Sequence, residues 1–215
     1  DYAIGCKRIL ISNDWYPAIQ ADNAELIADG PAEIKANSIV LKDGREIEVD
    51  AIVCATGFKV PSKAAPFQVQ GLNGLDMNDA WDDGAEAYKG VAVSGFPNLF
   101  FLRGPNTGPS HTSVLAFTEM QMEYIGKAVG HMARNNLKWI DVKKSVQDRF
   151  NRGIQKRMEN TSWTSGCNSW YLTDSGKNTT LYPGFNWEYR VRLWLFRPSE
   201  YHEQPADKSK KNKAA

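Results

Sequence analysis

The chain has 215 residues, of which 42% are apolar and 11% are aromatic, enough to build a sizeable core. Lys and Arg number 26 against 25 Asp and Glu, a formal net charge of +1. This balance argues against a nucleic-acid partner and against attachment to an anionic membrane. No apolar run of about 20 residues is present that would span a bilayer.

The three cysteines, Cys6, Cys54 and Cys167, are scattered and odd in number. They form no CxxC pair and suggest no disulfide framework, so we expect a reducing, cytoplasmic location rather than secretion. The three histidines and three cysteines show no metal-ligand spacing, and we expect no metal site. Because the first residue is Asp1 rather than Met, we expect the chain to be a fragment of a longer protein.

The first predicted elements are β-strands. Short alternating runs occur at Glu33–Ala36, Ser38–Leu41 and Glu46–Val49. Asp43-Gly44 lies between the last two, and this pair predicts a hairpin because Gly tolerates a positive φ. Ala51–Ala55 is apolar on both faces, as in a strand buried within a covered sheet. It ends at Thr56-Gly57, which is either a simple turn or a place where the backbone approaches a bulky ligand.

A strand, a loop and a helix are predicted next. Asn98–Leu102 has the composition of another buried strand, and the Gly- and Pro-rich segment Gly104–Pro109 predicts a loop. Apolar residues then recur at three- and four-residue steps from Phe117 to Met132, which predicts an amphipathic helix ending near Asn135. The residues suited to its N-cap are Ser110, Thr112 and Ser113.

The remaining third of the chain is less regular. A weaker helix is predicted over Ser145–Met158, followed by a turn-rich aromatic segment from Trp163 to Trp194. The aromatic side chains of that segment form either a local core or a cover over a pocket. Pro205–Ala215 is rich in Lys and lacks an apolar anchor, so we expect it to be disordered.

The predicted start of the long helix has a second possible meaning. A helix N-terminus presents unpaired N–H groups and a partial positive charge. Those groups suit an anion or the electron-rich edge of a reduced flavin. The alternative is an ordinary strand-to-helix turn, and geometry alone leaves both open.

Several short sequence motifs occur in a fixed order, and this order helps to choose between a ligand-binding role and an ordinary structural role for the segments described above. They are Gly5-Cys6-Lys7-Arg8, Asp14–Pro17, Asp50–Phe58, Gly95–Phe100, Gly104-Pro105-Asn106 and Ser169-Trp170-Tyr171. In this order they closely resemble the C-terminal part of class B flavoprotein monooxygenases, especially Baeyer–Villiger monooxygenases. The resemblance extends to about Tyr189.

The resemblance implies an α/β fold, the C-terminal portion of a flavoprotein with two Rossmann-like dinucleotide-binding domains and a turn- and aromatic-rich extension. The implied segments are 1–55 as the end of the NADPH-binding domain, 56–66 as a return linker, 67–135 as part of the FAD-binding domain, 136–204 as the C-terminal extension and 205–215 as a disordered tail. FAD and NADPH are the implied cofactors, and the N-terminal portion of the same protein is an implied partner.

The resemblance also implies a role for Arg8. The guanidinium matches an active-site arginine that would stabilise a flavin peroxide anion and its adduct with a small-molecule substrate, and it stays charged at any working pH. Lys7 would help to hold NADP. Without the resemblance, we would describe Lys7-Arg8 as a solvated basic pair.

Other matches concern the cofactors. Trp170 matches a tryptophan whose indole N–H reaches the NADP ribose. The flavin-ring residues would be Asn106, Thr112 and Ser113, mainly through backbone N–H groups. Thr56 and Gly57 would lie against a cofactor, whereas His111 is more simply a hydrogen-bonded structural residue.

The chain also departs from the family pattern. No Gly-x-Gly-x-x-Gly phrase occurs, so neither pyrophosphate-binding turn is present. The His- and Trp-containing fingerprint of Baeyer–Villiger enzymes is absent too. The implied activity is insertion of one oxygen atom from O2 into a ketone. The alternatives are a flavin-containing monooxygenase acting on amines or sulfides, and a non-catalytic interaction module derived from such an enzyme.

Overall fold

The computed structural model describes residues 3–57, 67–166 and 169–207, which divide into two units. Within the described residues, 9–57 form the smaller unit, while 3–8 join 67–166 and 169–207 in the larger one. The predicted linker therefore lies mostly outside the described residues, as does the chain after Asp207. No helix in the described part of the chain is both long and apolar enough to cross a membrane.

The smaller unit is built on an antiparallel sheet. Its elements are α1 (Trp15–Ile19), β1 (Pro31–Ile34), β2 (Ser38–Leu41) and β3 (Glu46–Glu48), with the strands in the order β1-β2-β3. Ile39 pairs with Ile47 across the hairpin, and Gly44 adopts φ +88° in its turn. The hairpin predicted from Asp43-Gly44 is therefore confirmed.

The predicted buried strand at Ala51–Ala55 is wrong for this chain. No strand is assigned over residues 51–57, and Val53 is 87% exposed. A strand that is apolar on both faces needs neighbouring strands and covering helices. No strand among the described residues pairs with this segment, so its apolar side chains stay in solvent.

The larger unit is mainly helical. Its elements are α2 (Met77–Ala80), α3 (Val114–Arg134), β4 (Leu137–Val142), α4 (Lys144–Met158), α5 (Asn186–Trp194) and β5 (Tyr201–Pro205), with short 3₁₀ turns at Leu72–Gly74, Ser162–Thr164 and Pro198–Glu200. The two long helices confirm the predicted periodicity. Ser113 is the N-cap of α3 and Asn135 its C-cap, as expected.

An aromatic cluster holds the helices of this unit together. The ring of Tyr189 on α5 stacks on Phe117 of α3 at 4.4 Å between centroids and meets Tyr182 edge-on at 4.9 Å. All three side chains are fully buried. Such contacts add to the free energy gained from burial of the rings, so this cluster fixes α5 against α3.

The predicted strand at Asn98–Leu102 is also wrong. Only an isolated bridge joins Phe100 to Ala92. Asn98 adopts φ +60°, and its side chain donates to Lys138 O and accepts from the Ile140 N–H. A left-handed residue breaks the regular pleat, and the segment is tied to the edge of β4 by this side chain instead.

Two further differences concern the end of the chain. The turn-rich segment predicted up to Trp194 contains the helix α5, whose start is stabilised by the Glu188 carboxylate accepting from the Phe185 N–H. The disordered tail was expected from Pro205. Instead, β5 pairs with β4 through Pro205, and Ala206 donates to Asn136 O. The sequence gives little sign of β5 because its partner strand supplies the stabilising hydrogen bonds.

Substitution at Tyr189 tests the role of the aromatic cluster. We expect Tyr189→Ala to lower the free energy of unfolding by about 3–5 kcal/mol, because it leaves a cavity between two helices. Tyr189→Phe removes only the hydroxyl and should cost about 1 kcal/mol. Urea unfolding followed by circular dichroism measures both changes.

Trp187→Ala is the matched control, because Trp187 lies on the same helix with its side chain in solvent. It should change the stability by less than about 0.5 kcal/mol. Equal losses in Tyr189→Ala and Trp187→Ala would show that the cluster does not fix the helix.

Candidate active site

Arg8 follows a short turn that belongs to the larger unit. Gly5 adopts φ +86°, Cys6 is fully buried, and the Arg8 side chain is exposed. Cys6 is disulfide-bonded, so the expectation that the chain has no disulfide is wrong. Cys54 is free and exposed. A buried, covalently tied residue two positions before Arg8 restrains the backbone that carries the guanidinium.

The structure brings Arg8 near the Trp170 segment. Burial raises the pKa of the Tyr171 phenol, and the positive charge of Arg8 acts on that pKa in the opposite direction. The Trp170 and Tyr171 rings lie 4.6 Å apart; Tyr171 is buried in the core and Trp170 is 50% exposed. The core therefore anchors the phenol, while the indole and the guanidinium face solvent. Cys167 and Asn168, which precede this segment, lie outside the described residues.

Asn106 lies in the loop before α3 with φ +54° and is buried. Its amide group donates to Asn178 O at 2.8 Å and to Leu181 O at 2.9 Å. Its backbone N–H donates to Thr179 O at 2.8 Å. These three donors are thus engaged with the C-terminal segment, so Asn106 positions the loop rather than offering donors to a flavin ring.

The loop is packed closely on both sides of Asn106. A Cβ on Gly104 would lie 2.5 Å from Gly90 O, so only glycine fits there. Thr107 donates its hydroxyl to Gly104 O at 2.6 Å, and Gln121 of α3 accepts from the Arg103 N–H at 2.9 Å. These contacts hold the loop rigidly against the first turns of α3.

The start of α3 remains open to solvent. Ser113 is exposed, and its hydroxyl accepts from the Leu115 N–H at 3.2 Å. Thr112 is half-buried beside it. A helix of 21 residues carries a partial positive charge at this end. The exposed first turn can therefore face an anionic or electron-rich group.

The other predicted cofactor residues lie in different surroundings. Lys7 is exposed, and Thr56 and Gly57 are exposed residues of the smaller unit, where Gly57 adopts φ +87°. His111 is exposed, with its ring 6.2 Å from that of Phe185. Tyr171 was not among the predicted site residues, although its place next to Trp170 in the sequence indicates that it could hold that indole.

Comparison with known proteins identifies chains that are similar to this one in sequence and structure. No protein-family model matches the chain. A Baeyer–Villiger monooxygenase of Pseudomonas aeruginosa is 46% identical over 204 residues, which cover 94% of this chain and 39% of that protein. The cyclohexanone monooxygenase of Rhodococcus sp. Phi1 bound to NADP+ is 29% identical with a TM-score of 0.75, over 94% of this chain and 39% of that one. A steroid monooxygenase bound to NADP is 25% identical with a TM-score of 0.79, over 96% and 40% respectively.

The class of protein follows from these likenesses together with the fold. The chain shares the fold of FAD- and NADP-binding flavoprotein monooxygenases, as its sequence predicts. In sequence it is similar to one part of the Baeyer–Villiger monooxygenases. It spans about two fifths of the length of the relatives it matches.

Substitution of Asn106 tests its positioning role. We expect Asn106→Ala to lower the stability of the larger unit by about 1–3 kcal/mol, because Leu181 O loses a buried donor. Amide hydrogen exchange should also quicken at residues 179–182, which the loop no longer holds. Asn160→Ala, at an exposed position, is the control and should change neither quantity. Unchanged exchange at residues 179–182 in Asn106→Ala would contradict the role.

Proposed function

We propose that the chain is part of an FAD- and NADPH-dependent monooxygenase that inserts one oxygen atom from O2 into a ketone. The main support is that Arg8 and the Trp170–Tyr171 segment, which the family pattern assigns to one active site, belong to the same unit, where the charge of Arg8 acts on the Tyr171 phenol. Relatedness to Baeyer–Villiger monooxygenases over 94% of the chain supports the same reaction. The rest of the protein would supply the two pyrophosphate-binding turns.

Several described residues support the binding of the two cofactors. The exposed first turn of α3 offers backbone N–H groups and a positive end to the electron-rich edge of the flavin, with Ser113 as its N-cap. The half-exposed indole of Trp170 offers an N–H donor to the nicotinamide ribose. Lys7 would contribute to NADP binding in the larger unit, and Thr56 and Gly57 stay predicted cofactor residues of the smaller unit. The flavin, when bound and reduced, supplies the chemistry that activates O2.

Arg8 would act on the reacting centre. Its guanidinium is a permanent cation and a planar set of donors, so it stabilises negative charge that develops on oxygen during attack on a carbonyl. Tyr171 would hold Trp170 from the core side, and Asn106 would hold the loop before α3. Thr112 would contribute beside Ser113 at the flavin.

The cellular location stays a prediction. The scattered cysteines, odd in number, are what predicts a cytoplasmic location. The cysteine pattern no longer supports that location, because Cys6 is disulfide-bonded.

Product analysis of the full-length protein tests the reaction. We expect NADPH-dependent formation of a lactone from cyclohexanone, and a fall of about 100-fold or more in Arg8→Ala, as when a donor to a developing oxyanion is removed. Arg8→Lys should recover part of the rate, because it restores the charge without the planar donor set. Gas chromatography with mass spectrometry measures the lactone.

Arg152→Ala, an exposed arginine on α4, is the control and should keep the full rate. Thioanisole offered beside cyclohexanone separates the alternatives. Sulfoxide without lactone would indicate a sulfide- or amine-oxygenating enzyme. A full-length protein that binds neither FAD nor NADPH would indicate a non-catalytic module.

The 215 residues alone should be inactive. We expect the purified chain to hold no stoichiometric FAD and to oxidise no NADPH, because it lacks both Gly-x-Gly-x-x-Gly turns. The flavin absorbance of the protein after gel filtration with added FAD measures retention. Stoichiometric flavin in the protein peak would contradict this expectation.

A further inference from the structure

An open cavity of about 810 Å³ lies in the larger unit, beside α5 and the turn at Tyr88–Lys89. Its volume is in the range of small-molecule sites. None of the residues predicted from the sequence to bind FAD, NADPH or the ketone lines it. The cavity is therefore a second place at which the described part of the chain could accept a ligand.

Lys89 is held in an unusual backbone conformation at this cavity. Its φ is +54°, in the left-handed region that few non-glycine residues adopt, and the next residue, Gly90, has φ +65°. The Tyr189 hydroxyl donates to Lys89 O at 2.7 Å. The aromatic cluster thus fixes the backbone that directs this lysine inward.

The ammonium group of Lys89 is buried without close hydrogen-bond partners. Its side chain is 8% exposed, and Nζ lies 4.5 Å from the Tyr124 ring centroid and 4.9 Å from that of Tyr88. The nearest carboxylate oxygen, on Glu200, is 3.8 Å away and accepts from the Tyr88 hydroxyl at 2.7 Å. No hydrogen bond from Nζ to any described residue is present within 3.5 Å. An ammonium has three donors, and a group in the cavity could accept from one that is not hydrogen-bonded.

The charges around the cavity favour an anion. Burial lowers the pKa of Lys89 to about 8, and Arg197 and Arg192 act in the same direction while Glu200 opposes them. Arg190 also lines the cavity and lies 3.6 Å from Glu123. Four cationic side chains and one carboxylate thus line it, and the positive field of such a site concentrates anions.

The remaining wall is apolar and aromatic. Trp187, Val191 and Trp194 occupy one face of α5 at helical spacing, and each is more than half exposed. Leu195, which is 55% exposed, and Phe150 of α4 also line the cavity. Flat indole surfaces beside cations suit a ligand with a planar apolar body and one charged end.

We propose that this cavity binds a small aromatic carboxylate, with the carboxylate accepting from Lys89 and the ring lying against Trp187 and Trp194. The ligand would supply the hydrogen-bond acceptor that the buried ammonium lacks. This proposal does not depend on the oxygenation reaction proposed above.

Calorimetric titration of the full-length protein, saturated with FAD and NADP+, tests the proposal with 2-naphthoate as the probe. We expect saturable binding of one 2-naphthoate, and at least tenfold weaker binding of the uncharged 2-naphthamide. Lys89→Met keeps the length of the side chain and should weaken 2-naphthoate at least tenfold. The exposed Lys138→Met is the control and should leave the affinity unchanged.

Two further variants keep the result decisive. Val191→Trp fills the cavity from a side chain that is 66% exposed, so it should abolish binding without disturbing the fold, even if Lys89→Met does not fold. Arg8→Ala should leave the affinity unchanged. The proposal would be overturned if the full-length protein did not bind 2-naphthoate, or if it bound the acid and the amide with equal affinity. It would also be overturned if Arg8→Ala lost binding while Val191→Trp retained it.

Discussion

The packing of the larger unit depends on the contacts of the Tyr189 side chain. Its ring lies against Phe117 of α3 and against Tyr182, and its hydroxyl donates to the carbonyl of Lys89. One side chain therefore fixes α5 on α3 and also fixes the left-handed turn beneath the cavity. A buried phenol needs a partner for its hydroxyl, and here that need is met by the backbone of a residue 100 positions away in the chain.

Pairing of buried polar groups also joins the loop before α3 to the C-terminal segment. Asn106 donates three hydrogen bonds to residues 178–181, and the Gly108 N–H donates to Thr180 O while the Tyr182 N–H donates to Gly108 O. Backbone groups buried between two irregular segments are thus paired with each other. Residues 136–207 are consequently not a separate appendage, since they share one core with residues 67–135.

The sequence predicts the elements whose signals are local. Periodicity and a serine cap give α3, and an Asp-Gly turn gives the β2–β3 hairpin. It fails where the outcome depends on distant partners. Ala51–Ala55 has the composition of a covered strand, but a strand forms only if neighbours pair with it. Asn98–Leu102 fails for another reason, because the Asn98 side chain replaces a regular ladder with its own contacts to β4.

The residues of the candidate sites also differ in whether the sequence around them indicates their role. Arg8 and Trp170 carry no periodicity or spacing that marks them, so only the ordered phrases of the family point to them. Asn106 was expected at a flavin, yet its buried donors face the C-terminal segment, which no local pattern reveals. The sequence around Lys89 does not indicate that this lysine is buried, since it only places it between Tyr88 and Gly90. The burial results from residues distant in the chain, which are Tyr124 of α3, Glu200 before β5 and Tyr189 of α5. Burying an ammonium without a close acceptor opposes folding, so the stability of the surrounding aromatic core is what allows that charge to face the cavity.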